Sequence, residues 1–199
     1  MEFGDSPPKP GLDGCDMVDQ ELRGNELHIT VNDLRLRYID WGTEGKTPLI
    51  CLHGHTGQAH IWDDFARAMC DDYHVLALDQ RGHGGSDWAK DGYERDRFVE
   101  DLGAFVAQLN IDSFVLAGLS MGGWNSLLYT AANPTGVARI VIVDIGPEAS
   151  QESKAMMGKR PPTPMEFDSI SSAVAILRQA NPWVTDERLQ LDVSDRLKQ

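Results

Sequence analysis

The sequence predicts an α/β fold, in which a mostly parallel sheet carries helices on both faces and is followed by the start of a helical cap. Two observations carry this prediction. Short continuous apolar runs recur along the chain, as is typical of strands that are buried on both faces. Stretches with an apolar stripe at helical spacing separate these runs. Such an alternation of strand and helix indicates a parallel sheet wrapped by helices.

The composition fits an ordinary globular domain and argues against several classes of partner. The chain has 199 residues, of which 41% are hydrophobic and 25% are charged, enough for one domain with a hydrophobic core. Its formal net charge of −13 disfavours binding to nucleic acid or to an anionic membrane. No apolar run is long enough to span a bilayer, and the N-terminus lacks the pattern of a signal peptide. We therefore expect a cytoplasmic protein.

The cysteines argue for a reducing compartment. Cys15, Cys51 and Cys70 are odd in number and show no C-x-x-C spacing, which argues against a disulfide framework and against a cysteine zinc site. Neither a metal nor another cofactor is predicted.

The chain divides into three predicted parts. Residues 1–24 are rich in proline, glycine and aspartate, which predicts a disordered tail. Residues 25–147 should form the sheet and its helices, and residues 148–199 an incomplete helical cap. The segment ELHITVNDLRLRYIDWG alternates apolar and polar residues around Asn32-Asp33, which predicts a half-buried hairpin at the start of the sheet.

The remaining strands and helices follow in order. The apolar runs PLICL, HVLALD, FVLAGL and ARIVIVD are interpreted as buried strands. The helices between them are marked by apolar residues three and four positions apart. These residues are Ile61, Phe65 and Met69 in the first helix, Phe98, Leu102, Phe105, Val106 and Leu109 in the second, and Trp124, Leu127, Leu128, Ala131 and Ala132 in the third.

The last part of the chain changes in character. Residues 148–165 are polar and contain three prolines. Two helical patterns follow with no strand between them, one with Ile170, Val174 and Leu177 and the other with Leu189, Val193 and Leu197. Thr185 precedes two acidic residues and is the expected N-cap of the second helix. We therefore expect a separate helical layer over the sheet.

The clearest chemical signal is the segment Gly118-Leu119-Ser120-Met121-Gly122. It follows the strand FVLAGL and opens the helix GGWNSLLYTAA, which is the context that a G-x-S-x-G nucleophile turn requires. A sharp reversal from strand to helix holds the serine in a strained backbone conformation that exposes its hydroxyl. Glycines flank it because side chains would collide there, and the helix N-terminus adds N–H donors. Ser120 is therefore the predicted nucleophile.

With this motif, the chain resembles the α/β-hydrolase family over roughly residues 26–147, and the helices that follow resemble the family's cap. The segment His53-Gly54-His55-Thr56-Gly57 follows the strand PLICL and resembles the family's oxyanion loop. By position, the resemblance implies that the backbone N–H groups of His55 and Met121 hold the oxyanion. The segment DQRGHGGS at residues 79–86 resembles the family's D-x-R-G-x-G-x-S turn. We interpret this turn and the His53 side chain as structural.

The resemblance leaves the catalytic acid open between Asp144, a residue on a later strand and, as a weaker candidate, Glu148. The triad of this family runs in the order serine, acid, histidine. Asp144 ends the strand ARIVIVD and is the predicted acid. The alternative is that Asp144 braces a loop and that the acid lies on a later strand. All six histidines precede Ser120, so we expect a chain that is truncated before its catalytic histidine and is by itself nearly inactive.

The implied function is hydrolysis of a carboxylic ester or a similar acyl bond in a small molecule, with lactones and carbon–carbon bonds left open. Trp183 is a predicted wall of the substrate pocket, and Arg160 a predicted partner for a substrate carboxylate. Ordinary packing for Trp183 and a solvated surface role for Arg160 are the alternatives. A non-catalytic binding protein, an inactive fragment and one half of a two-chain hydrolase are the competing hypotheses.

Overall fold

A computed structural model of the chain describes residues 24–146, 167–180 and 182–196. Within these ranges the chain forms one six-stranded sheet with the strand order β1-β2-β4-β3-β5-β6. The strands are β1 (Asn25–Val31), β2 (Leu34–Asp40), β3 (Thr47–Leu52), β4 (Tyr73–Leu78), β5 (Phe114–Leu119) and β6 (Val137–Val143). The described α-helices are α1 (Asp63–Met69), α2 (Arg95–Gln108), α3 (Met121–Ala132), α4 (Ile170–Ala180) and α5 (Asp186–Arg196). The predicted N-terminal tail and residues 147–166 lie outside the described residues, apart from Gly24.

The predicted hairpin is confirmed at one edge of the sheet. β1 pairs with β2 in antiparallel register from Asn25 opposite Asp40 to Val31 opposite Leu34. Asn32 and Asp33 both have positive φ, at 50° and 62°. Two-residue hairpin turns with this backbone match the twist of the strands that they connect.

The rest of the sheet is parallel and carries helices on both faces, as predicted. β3 pairs in parallel with β4 and with β5, and β5 pairs in parallel with β6. Leu102 and Phe105 of α2 and Tyr129 of α3 join the core on one face. Trp62 and Ala66, on the segment after β3, join the core on the other face. The sheet therefore separates two apolar layers.

The prediction that β6 is a strand buried on both faces is wrong. Val141 is 44% exposed and Val143 is 38% exposed. Both lie opposite residues of β5 whose side chains share their face, since Ala117 pairs with Val141 and Leu119 with Val143. β6 is the edge strand of the described sheet and pairs there only with β5. Within the described residues, one face of β6 is exposed and one of its edges pairs with no other strand, although its sequence is apolar.

The first predicted helix consists of two pieces. A 3₁₀ turn spans Ala59–Trp62, and α1 begins at Asp63. The Gln58 side chain caps the turn because its Oε1 accepts a hydrogen bond from the His60 N–H at 2.8 Å. Tight 3₁₀ turns are frequent at helix starts, and the apolar spacing in the sequence does not separate them from a regular helix.

The two C-terminal helices pack against each other, and α5 also contacts the 3₁₀ turn. Thr185 is the N-cap of α5, as predicted, because its Oγ1 accepts a hydrogen bond from the Arg188 N–H at 3.3 Å. The Nη1 of Arg188 also lies 3.6 Å from the Oδ2 of Asp64 in α1, which makes an ion pair. Leu189 and Val193 of α5 are buried. α5 therefore stands over the segment that follows β3. No helix in the described ranges is long and apolar enough to cross a membrane.

Candidate active site

Ser120 occupies the turn between β5 and α3 with a strained backbone. Its φ is 50° and its ψ is −109°, a region that residues other than glycine rarely adopt. Two backbone hydrogen bonds hold this conformation. The Ser120 N–H donates to the carbonyl of Val143 at 2.9 Å, and the Ser120 carbonyl accepts from the Trp124 N–H at 3.1 Å. This geometry agrees with the predicted nucleophile turn.

Close backbone packing explains the glycines around Ser120. A Cβ atom on Gly122 would lie 2.3 Å from the carbonyl oxygen of Leu52, and one on Gly118 would lie 2.4 Å from the carbonyl oxygen of Gly122. Because these obstacles are backbone atoms, they have little freedom to move away. The start of α3 therefore packs directly against the ends of β3 and β5.

The predicted oxyanion loop, residues 53–57, packs against the nucleophile. A Cβ atom on Gly54 would lie only 3.3 Å from the Ser120 Cβ. Among the described residues, neither the His55 N–H nor the Met121 N–H donates a hydrogen bond to another backbone group. Met121 is the first residue of α3, where backbone N–H groups have no partner within the helix. His55 thus lies in the loop that packs against Ser120, and Met121 directly follows Ser120, while their roles in an oxyanion hole stay predictions.

His53 braces this loop. Its Nδ1 donates to the Gly54 carbonyl at 2.8 Å, and its Nε2 accepts from the Gln80 N–H at 3.0 Å. The Gln80 side chain returns a bond to the His53 carbonyl at 2.9 Å and accepts one from Asn125 Nδ2 at 2.7 Å. Both ring nitrogens are therefore committed to structural hydrogen bonds. The structural interpretation of His53 is confirmed.

The turn at residues 79–86 is structural as well. Asp79 is fully buried, and its Oδ2 accepts from Arg37 Nε at 2.5 Å and from the Gly85 N–H at 2.7 Å. Burial lowers the pKa of Arg37, but the ion pair with Asp79 outweighs it and leaves this pKa raised. Arg81 forms two hydrogen bonds to Asp101 of α2, at 2.6 and 2.7 Å. These pairs fix the turn to β2 and α2.

His83 joins the oxyanion loop to α2. Its ring centroid lies 4.9 Å from that of His53, 6.1 Å from that of His55 and 6.4 Å from that of Phe98. Burial lowers the pKa of His83, which favours the neutral form of its ring. In the part of the chain that the structure describes, no histidine nitrogen hydrogen-bonds to the Ser120 hydroxyl.

The predicted acid reaches the same edge of the sheet as the nucleophile. Asp144 directly follows Val143, whose carbonyl accepts the Ser120 N–H. Asp144 is exposed and has a positive φ of 59°. Trp183 lies in the turn between α4 and α5 and is 84% exposed, and Arg160 lies outside the described residues. The roles of these three residues stay predictions.

One feature near Ser120 escaped the sequence reasoning. The guanidinium carbon of Arg95 lies 5.1 Å from the centroid of the Trp124 ring. From the sequence, Trp124 was predicted to belong to the apolar stripe of α3, and no role was predicted for Arg95. The available signal was the position of Trp124, four residues after Ser120 and in the first turn of α3.

Comparisons with known proteins agree with this geometry. Residues 47–198 match the family model described as the alpha/beta hydrolase fold. A 3-hydroxybutyrate-oligomer hydrolase from Cupriavidus necator is 29% identical, with 72% of this chain and 50% of the relative aligned. A non-heme chloroperoxidase from Streptomyces lividans is 32% identical, with 75% of this chain and 55% of the relative aligned. The chain thus spans about half the length of these curated relatives.

A solved structure extends the similarity to three dimensions. The crystal structure of an alpha/beta hydrolase from Novosphingobium aromaticivorans superposes with a TM-score of 0.71 and 31% identity. The match covers 84% of this chain and 62% of that protein. The family model includes β3, β5 and α3, and hence the turn that carries Ser120. The chain belongs to the alpha/beta hydrolase family.

Proposed function

We propose that the protein is a serine hydrolase that cleaves a carboxylic ester or a similar acyl bond, with Ser120 as its nucleophile. The observation that carries this proposal is the backbone of Ser120, whose positive φ places it at a strained turn between β5 and α3. The packing of the 53–57 loop against this turn supports the proposal. One of the relatives is named as a 3-hydroxybutyrate-oligomer hydrolase, which also supports hydrolysis as the type of reaction.

In the proposed reaction, the Ser120 Oγ attacks the carbonyl carbon of the substrate and transfers its proton to a base. The carbonyl oxygen becomes an oxyanion, which the N–H groups of His55 and Met121 stabilise through hydrogen bonds. The intermediate collapses to acyl-Ser120 as the base gives its proton to the leaving alkoxide, which departs as the alcohol. Water then attacks the acyl carbon and gives a proton to the base, which returns it to the Ser120 Oγ as the carboxylic acid leaves.

The base in this scheme is a histidine that Asp144 orients. Within the 199 residues, all six histidines precede Ser120, and His53 and His83 use ring nitrogens in hydrogen bonds to backbone groups. The use of these two rings in backbone hydrogen bonds favours the second candidate function, a non-catalytic protein that binds acyl compounds in the same site. The two candidates differ in whether Ser120 reacts.

Ester hydrolysis with an added base tests the proposal. The 199-residue chain and its Ser120→Ala variant are compared with p-nitrophenyl acetate, with and without imidazole in solution. Without a positioned base we expect slow hydrolysis, because oxyanion stabilisation and binding alone retain about 10³-fold acceleration over water in triad-deficient serine enzymes. Imidazole should increase the Ser120-dependent rate, which is the difference between the two proteins.

Two outcomes would contradict parts of this account. Equal rates for the two proteins at every imidazole concentration would favour the binding role. Fast turnover without imidazole that Ser120→Ala abolishes would keep Ser120 as nucleophile but would show that the chain already holds a base.

A further inference from the structure

We propose that the site takes an acyl substrate with a carboxylate near the scissile bond, and that Arg95, which lies over the Trp124 ring, binds this carboxylate. The inference rests on the proposed function, because it names a substrate class for the same site.

A cation–π contact holds the Arg95 side chain over Trp124. Its guanidinium carbon is 5.1 Å from the Trp124 ring centroid, within the range of such a contact. The guanidinium has five N–H donors, which suit it to bind a carboxylate. The Arg95 side chain is exposed, and no carboxylate pairs with it among the described residues, whereas Arg97 pairs with Glu100 at 2.8 Å. Arg95 therefore presents a guanidinium that no carboxylate of the described residues binds.

Trp124 links this charge to the nucleophile turn. Ser120 directly precedes α3, and the N–H of Trp124, in the first turn of the helix, donates to the Ser120 carbonyl at 3.1 Å. The Arg95 guanidinium, which lies over the Trp124 ring, is therefore held at the end of α3 where Ser120 lies.

Phe98 and His83 connect α2 to the predicted oxyanion loop, residues 53–57. Phe98 is three residues after Arg95 in α2, so the two side chains lie on neighbouring parts of one helix face. The Phe98 ring is 6.4 Å from the His83 ring, which is 6.1 Å from the His55 ring. Arg95 therefore lies in the first turn of α2, the part of this helix that Phe98 and His83 connect to the 53–57 loop.

The negative net charge of the molecule makes a local positive group useful for binding an anionic substrate. A formal net charge of −13 repels an anionic substrate unless a local positive group offsets it. A guanidinium suits this role because it binds a carboxylate through two parallel hydrogen bonds. Arg95 is also the first residue of the 14-residue helix α2, and the N-terminal end of a helix dipole favours negative charge.

Binding of two matched esters tests the proposal. Monomethyl succinate and methyl butyrate have the same length and ester group, and differ in that only the first carries a carboxylate. Each is titrated into the ¹⁵N-labelled Ser120→Ala chain, and dissociation constants are taken from the shift of the Trp124 indole N–H signal, assigned with Trp124→Phe. We expect monomethyl succinate to bind about 5- to 10-fold more tightly, as for a charge-assisted pair that solvent partly screens.

Variants locate the source of this preference. Arg95→Gln should bring the two dissociation constants together, while Arg97→Gln, a matched loss of charge on the same helix, should leave the preference intact. A preference that survives Arg95→Gln, equal affinities in the parent chain, or no binding of monomethyl succinate would overturn the proposal. Because no Ser120 hydroxyl is present, failure of the hydrolase proposal would not change this readout.

Discussion

At the scale of single residues, the site combines strained and buried groups that their neighbours hold in place. A non-glycine residue at positive φ costs about 1–3 kcal/mol, and Ser120 keeps this conformation through its hydrogen bonds to Val143 and Trp124. The G-x-S-x-G segment predicted this turn because the motif is local in sequence. Arg95 could not be predicted in the same way, because its contact joins α2 to α3 and no sequence spacing relates the two helices.

Asp79 provides a prediction at this scale. Its carboxylate is fully buried and accepts hydrogen bonds from Arg37, the Ala59 N–H and the Gly85 N–H. Asp79→Asn should lower the free energy of unfolding by about 3 kcal/mol, because the buried Arg37 guanidinium loses its buried ionic partner and keeps only the ion pair with the exposed Glu26. Urea denaturation measures the change. Glu100→Gln, which breaks the exposed pair with Arg97, is the control and should leave stability unchanged. Equal effects of the two substitutions would refute the structural role of Asp79.

At the scale of elements, the apolar spacing located every strand and helix that the structure describes, and its errors have physical causes. The 3₁₀ turn before α1 was not predicted, because its apolar residues continue the helical spacing. β6 was predicted to be buried because Val and Ile dominate it, yet its exposure depends on what lies beside it in the sheet. Sequence periodicity indicates whether an element is a strand or a helix, but it does not indicate which elements lie beside it.

Two helical glycines give a matched test at this scale. A Cβ on Gly122 would meet the Leu52 carbonyl oxygen at 2.3 Å, whereas one on Gly103 in α2 would find only the Tyr129 ring at 3.7 Å. Gly122→Ala should therefore destabilise the protein by about 1–3 kcal/mol through overpacking. Gly103→Ala should stabilise it by about 0.5–1 kcal/mol, because alanine favours the helix. Circular dichroism during urea denaturation compares them, and equal stabilities would contradict the close approach of α3 to β3.

At the scale of the whole molecule, the sheet brings distant segments to one edge. The 53–57 loop follows β3, the 79–86 turn follows β4, Ser120 follows β5 and Asp144 follows β6. Because these four strands are parallel, their carboxyl ends share one edge, where ligands of such sheets bind. This meeting was predictable from the order of strands and motifs. The source of the catalytic base was not, since no histidine follows Ser120 and the chain spans about half the length of its curated relatives.

The most direct test of the account is to identify the residue that accepts an acyl group. The chain is incubated with p-nitrophenyl acetate in imidazole buffer, quenched in acid, digested with trypsin and analysed by mass spectrometry. Residues 98–139 form one tryptic peptide that contains Ser120 and no lysine, so an acetyl group found there cannot belong to a lysine. We predict one acetyl group on Ser120, and none on this peptide from Ser120→Ala. Acetylation confined to lysines, or equal labelling of the peptide in both proteins, would contradict Ser120 as the nucleophile.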